Sequence, residues 1–93
     1  MVQITRKNLC STQGGLEFFK RYKDSFGNVK IAELAGTILK LTNYEDEIME
    51  ISGCFTGGYI GEGPRGTYEV LSLCGFDISE EYISRNDTFV LEK

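Results

Sequence analysis

Apolar and polar residues alternate at the start of the chain, with Val2 and Ile4 separated by Gln3 and followed by Thr5. This period of two predicts a short strand over 2–6, closed by Arg6-Lys7-Asn8. The period then lengthens: Leu16, Phe19 and Phe26, joined by Phe18 and Tyr22, recur at spacings of three and four. That stripe predicts a helix from Gln13 to Ser25, with Lys20, Arg21, Lys23 and Asp24 on its wet side. Ser11 or Thr12 is placed to cap its first turn, and Gly27-Asn28 to end it. Asn28 can in turn cap a second helical stretch, Val29 to Ala35, with Ile31, Leu34 and Ala35 on one face and Gly36 as its interruption.

Beyond Gly36 the pattern favours strands. Thr37 to Thr42 is short and rich in β-branched residues, with a helix running on through Gly36 as the competing assignment. Asn43-Tyr44-Glu45-Asp46 has the composition of a turn. Glu47 to Phe55 alternates again, with Met49, Ile51 and Phe55 facing one way and Glu50 the other. Thr67 to Phe76 is the most strand-like stretch by residue type, through Tyr68, Val70, Leu71 and Leu73. A last strand, Thr88 to Leu91, follows the polar run Ser79 to Asp87, in which Asp77 or Ser79 can cap a helical turn carrying Glu80 and Glu81. The expected fold is α+β, a single domain over 1–93. In it an N-terminal helix or helix pair packs on an antiparallel β-meander of about four to five strands.

Composition narrows the chemistry. No apolar run approaches the roughly 18 residues that span a bilayer, and the N-terminus lacks the basic and long apolar regions of an export signal. The expectation is a soluble, cytoplasmic protein with no membrane association. The chain has no histidine, and its three cysteines, Cys10, Cys54 and Cys74, form no CxxC pair. The usual zinc sites, imidazole acid–base chemistry and a two-bridge disulfide framework are thereby removed, and the thiols are expected to be reduced and mostly buried. A nucleophilic Cys10 would need an activating base that the sequence does not name. No metal, no cofactor and no catalytic residue is expected, and the chain reads as a non-enzyme.

The net charge of −4 conceals a polarity along the chain. Residues 1–40 carry seven Lys/Arg against three acids, +4, while residues 41–93 carry three against eleven, −8. Either folding intermixes the two halves, or an acidic surface docks on a basic one. Direct nucleic-acid binding through Arg6, Lys7, Lys20, Arg21 and Lys23 is disfavoured by the negative total.

Two clusters are candidates for recognition. Gly57-Gly58-Tyr59-Ile60-Gly61-Glu62-Gly63-Pro64-Arg65-Gly66 ends in a literal G-x-G-x-x-G. A dinucleotide site requires that motif to open a helix, whereas Pro64 and Arg65 here are read as leading into a strand, which makes the run a glycine-rich hairpin connection. Its tip still presents Tyr59, Glu62 and Arg65, residue types suited to a protein partner or a phosphate-bearing ligand. The second cluster is Glu45, Asp46 and Glu47 with Glu50 beyond, which lacks the spacing of a calcium loop.

Leu9 to Phe19, followed by Phe26-Gly27 and Val29 to Leu34, resembles a helix-opening unit of small bacterial and phage proteins. The resemblance covers the first third of the chain and carries no catalytic residue. It implies a class of small acidic mobile-element proteins that includes inhibitors of host defence, such as anti-CRISPR proteins, acting in the cytoplasm of a bacterial host. The expected function is therefore a non-enzymatic protein-binding module, in its finest form a phage-encoded inhibitor of a host defence or nucleic-acid-handling protein with a basic surface. The expected contact residues are Glu45, Asp46, Glu47, Glu50, Tyr59, Glu62 and Arg65. The alternative is a nucleotide-sequestering protein, with Arg65 on phosphate and Tyr59 against a base. A short final strand also leaves a sheet edge open to a second copy.

Overall fold

In the computed structural model, which describes residues 3–6 and 12–93, the chain runs β1 (Gln3–Arg6), α1 (Thr12–Phe26), β2 (Val29–Ala35), β3 (Ile38–Asn43), β4 (Ile48–Ser52), α2 (Glu62–Leu73), α3 (Glu80–Arg85) and β5 (Thr88–Glu92). The strands form one sheet in the order β1-β4-β3-β2-β5, in which β1 joins β4 in parallel and every other pairing is antiparallel. The fold is α+β, with a single N-terminal helix on a largely antiparallel sheet. Ser11 and Cys10 lie outside the described residues.

The core explains why these elements form. Leu16, Phe19 and Phe26 of α1, Val70 and Leu71 of α2 and Ile83 of α3 join one buried cluster with Ala32, Leu34, Leu39, Leu41, Met49, Ile51 and Phe89 of the sheet. All three helices therefore cover the same face, and alternation along each strand sends the remaining side chains to the other. That open face carries Ile31, Glu33, Lys40, Thr42, Ile48, Glu50 and Val90, a mixture of charge and apolar surface.

Two sequence assignments are corrected. Val29 to Ala35 is a strand, not a second helix, and Asn28 caps no helix. From Ile31 onward its residues pair in register with both β3 and β5. The sheet needs this segment as an interior strand between β3 and β5, and the apparent helical face of Ile31, Leu34 and Ala35 is divided between the two sides of the sheet. Gly36, at φ +63°, begins a two-residue turn between Ala35 and Ile38, the sign of φ that a type II′ hairpin requires at its first central position.

The second correction concerns Thr67 to Phe76, which is not a strand but the body and exit of α2. Thr67, Val70 and Leu71 lie buried on one side at helical spacing. Pro64 sits in the first turn, where a missing N–H removes no intrahelical bond. Gly75, at φ +89°, ends the helix, with the Gly75 amide donating to Ser72 O and the Phe76 amide to Leu71 O, each at 3.0 Å. This pair of bonds is a Schellman motif, and the β-prone residue types are overridden by their periodicity.

Asn43, 2% exposed, ties the helical layer to the sheet. Its Nδ2 donates to Phe26 O at the end of α1 (2.7 Å) and to Glu47 Oε1 (2.8 Å). Its Oδ1 accepts from the amides of Glu45 (2.9 Å) and Glu47 (2.8 Å). One side chain thus satisfies a terminal helix carbonyl and shapes the β3–β4 turn, in which Asp46 takes φ 63°. Substituting Asn43→Ala leaves Phe26 O and two turn amides without this partner, and the expected loss is about 2–3 kcal/mol of unfolding free energy. Urea titration measures it, and a loss below about 0.5 kcal/mol would remove Asn43 from this role.

Candidate docking site

The candidate site is built by the segment that leaves β4 and passes between α1 and α2. Cys54 and Phe55 are buried there, and their side chains lie where a Cβ on Gly15 of α1 would stand, 2.5 Å from Cys54 Cβ and 3.0 Å from Phe55 Cζ. On the other side Gly66 of α2 faces Phe55 and the Thr12 methyl with no space for a side chain. Hydroxyls fix the crossing: Thr12 Oγ1 donates to Cys54 O (3.0 Å) and Thr67 Oγ1 to Thr56 O (2.8 Å). Thr12 lies inside α1 and spends its hydroxyl on this loop, so its assignment as a helix cap is corrected.

The loop is held at its next turn by α3. The Gly58 amide donates to Ile83 O (2.9 Å), and Gly57 lies directly against the carbonyl of Asn86. The chain then turns outward. Tyr59 lays its ring beside Gly61, where a Cβ would meet the ring edge at 2.8 Å, and its hydroxyl is 2.9 Å from Thr56 Oγ1. Tyr59 remains 51% exposed, and Ile60 projects at 91% exposure.

Gly61 to Gly66 therefore opens a helix instead of forming a hairpin, which corrects the strand assignment and the objection built on it. The glycines serve packing within the domain. The Tyr59 ring fills the space a Cβ on Gly61 would need, and the Thr56 and Tyr59 hydroxyls fill that of Gly63.

Between the first turns of α2 and α3 lies a cleft of about 240 Å³, lined by Tyr59, Ile60, Gly61, Pro64, Arg65, Glu80, Glu81 and Ser84. Ser79 caps α3 by accepting from the Tyr82 amide (3.1 Å), as its sequence position predicts, and this sets Glu80 and Glu81 at the cleft rim. Glu81 is bridged to Arg85 at 2.8 Å, whereas Arg65 has no carboxylate partner among the described residues. Arg65 also borders a second groove, shared with Glu62, Gln13 and Glu69.

The seven residues expected to make contact fall into three places. Tyr59 and Arg65 line the cleft, and Glu62 lies in the second groove, which Arg65 also borders. Glu45, Asp46 and Glu47 lie in the turn at the opposite end of β4, five residues or about 16 Å away along the strand. Glu50 lies between them on the open sheet face, across from Lys40. In the turn, Asp46 accepts from Lys30 (2.6 Å), and that hydrogen bond with the lysine's charge holds its carboxyl below the usual range. Ile60 and Ser84 were not singled out by the sequence, which offered Glu80 and Glu81 as first-turn residues of a capped helix or, with the acidic turn, as a mimic of spaced phosphates. An isolated β-branched residue between Tyr59 and Gly61 was the available signal for the first.

Among the described residues, no group of three potential metal ligands and no helix long and apolar enough to cross a membrane is present. Comparison with family models, curated proteins and solved structures finds no match.

Cys74, at the end of α2, has its thiol pushed up to about 11 by burial, against the opposing charges of Lys93 and Lys23. The unfolded chain releases this proton first, so the thiol's contribution to stability is full below about pH 9 and is lost as pH rises to about 11. The wild type is expected to lose up to about 2 kcal/mol more than Cys74→Ala across that window, measured as the difference between their alkaline stability curves. The close crossing yields a second expectation. Gly66→Ala drives a methyl into Thr12 and Phe55 and lowers stability by about 2 kcal/mol. Thr12→Ser in the same chain removes the obstructing methyl and recovers part of that loss in urea unfolding. No recovery would place the clash elsewhere.

Proposed function

We propose that this chain is a non-enzymatic protein-binding module whose contact surface is the loop around Tyr59 and Ile60 with the adjoining cleft. The observation that carries the proposal is the exposure of Ile60, 91%, on a loop fixed on both sides by hydrogen bonds to α2 and α3. An apolar side chain held out in water by a rigid support meets a partner without further loss of backbone freedom. Glu80 and Glu81 around the cleft, with Glu62 in the groove that Arg65 also borders, favour a segment with an apolar anchor flanked by basic residues. The acidic turn at Glu45–Glu47 faces the far end of the molecule and is left out of this surface.

The finer reading, a phage-encoded inhibitor of a host defence or nucleic-acid-handling protein, draws its support from the resemblance over residues 9–34. The nucleotide alternative is opposed by two features of the cleft. Tyr59 is already packed on Gly61, and Glu80 and Glu81 would repel a phosphate brought to Arg65.

The test is selection of a phage-displayed random peptide library on immobilised wild type, Ile60→Asp and Glu80→Lys/Glu81→Lys. The wild type should enrich peptides with an apolar residue flanked by Lys or Arg. The first variant should lose them, and the second should lose the basic flanks. Enrichment of the same peptides by Ile60→Asp, or of none by the wild type, would overturn the proposal.

A further inference from the structure

Among the described residues, the β5 edge of the sheet has no strand partner beyond β2. Hydrogen bonds from the Gly36 amide to Asp87 O and from the Lys93 amide to Lys30 O, both 2.9 Å, fix the phase of the β2–β5 ladder. Alternation in an antiparallel pair then turns the backbone groups of Phe89 and Leu91 toward β2. Those of Thr88, Val90 and Glu92 are left pointing outward from the sheet. All three residues are exposed, Val90 by 55%, and the strand has no proline to blunt the edge.

We infer that this edge pairs with β5 of a second copy, antiparallel about a two-fold axis at Val90, to make one continuous sheet. The register is set by complementarity. Centred on Val90, the three outward residues form hydrogen-bonded pairs, Val90 with its symmetry mate and Thr88 with Glu92 of the second copy, giving about six backbone bonds. The closer, non-hydrogen-bonded positions then set Phe89 opposite Leu91 on each side of the axis, so that apolar meets apolar, while the Lys93 ammonium stays on Cys74 O within its own protomer. A shift of the axis to Phe89 puts Asp87 against Leu91, and a shift to Leu91 puts Phe89 against Lys93. Tyr82, 43% exposed and edge-on to Phe89 at 5.5 Å, adds apolar surface beside the helical side of the seam. The occupant is thus a second copy of this chain, and the surface is separate from the Ile60 loop.

Sedimentation velocity over a dilution series to about 100 μM reads the association directly. The wild type should approach twice the protomer mass. Val90→Pro should be monomeric with an unchanged circular dichroism spectrum, since the amide it removes faces outward and supports no bond within the protomer. Thr88→Glu, which sets a carboxylate opposite Glu92 of the second copy, should weaken association about fivefold, and Thr88→Lys at the same exposed position should tighten it. Hydrogen exchange on the wild type gives a readout that no variant's folding can confuse: the Val90 amide should gain protection with concentration. A wild type that stays monomeric, a dimer that survives Val90→Pro, a Thr88→Glu variant that associates as tightly as Thr88→Lys, or Val90 protection independent of concentration would each overturn the inference.

Discussion

The passage of Cys54–Thr56 between α1 and α2 sets the geometry of everything on the helical side of the sheet. Gly15 and Gly66 allow the two helices to close on Phe55, and Thr12 and Thr67 bond the crossing backbone that would otherwise lie buried without partners. Because the crossing is tight, the loop beyond it has little choice of path. Thr56 positions Tyr59, the end of α3 holds Gly57 and Gly58, and Ile60 is directed into solvent. Exposure of that isoleucine is a consequence of packing four to six residues earlier.

The sequence disclosed the period-two and period-three-to-four patterns wherever one of them stood alone. β1, α1, β3, β4 and β5 were legible for that reason, as was the Ser79 cap. It misled at two places where residue type and periodicity pointed apart. Tyr68, Val70, Leu71 and Leu73 favour a strand by type, yet Thr67, Val70 and Leu71 recur as a helix, and Gly75 supplies the stop. Val29 to Ala35 has the reverse conflict, and an interior position in the sheet decided it through pairing with β3 and β5, which no local window contains.

The glycine run illustrates a different limit. Its spacing matches a phosphate-binding pattern and it does open a helix, but spacing carries no information about what faces each glycine. Here Tyr59, Thr56, Thr12 and Phe55 face them, and the absence of Cβ atoms admits the protein's own side chains. The charge halves are a similar case. Lys20 pairs with Glu69 and Lys30 with Asp46, so a polarity of the chain is partly cancelled when its ends fold together. What survives at the surface is local: a few carboxylates around one cleft, beside an arginine.

The two surfaces read here as recognition sites converge on α3 and the residues after it. Glu80, Glu81 and Ser84 line the cleft, Tyr82 turns to Phe89, and Ile83 is buried beneath them. A helix of six residues thereby divides its turns between the loop and the sheet edge. It has too few backbone bonds to stand alone, so its orientation is set by Ile83 in the core and by the Ser79 cap. Asp87 then hands the chain to β5 by accepting the Gly36 amide, while its neighbour Asn86 supports Gly57. The same short stretch fixes the register of the edge strand and the height of the Ile60 loop. Disturbing either support would move both surfaces, although each presents its own residues to its own partner.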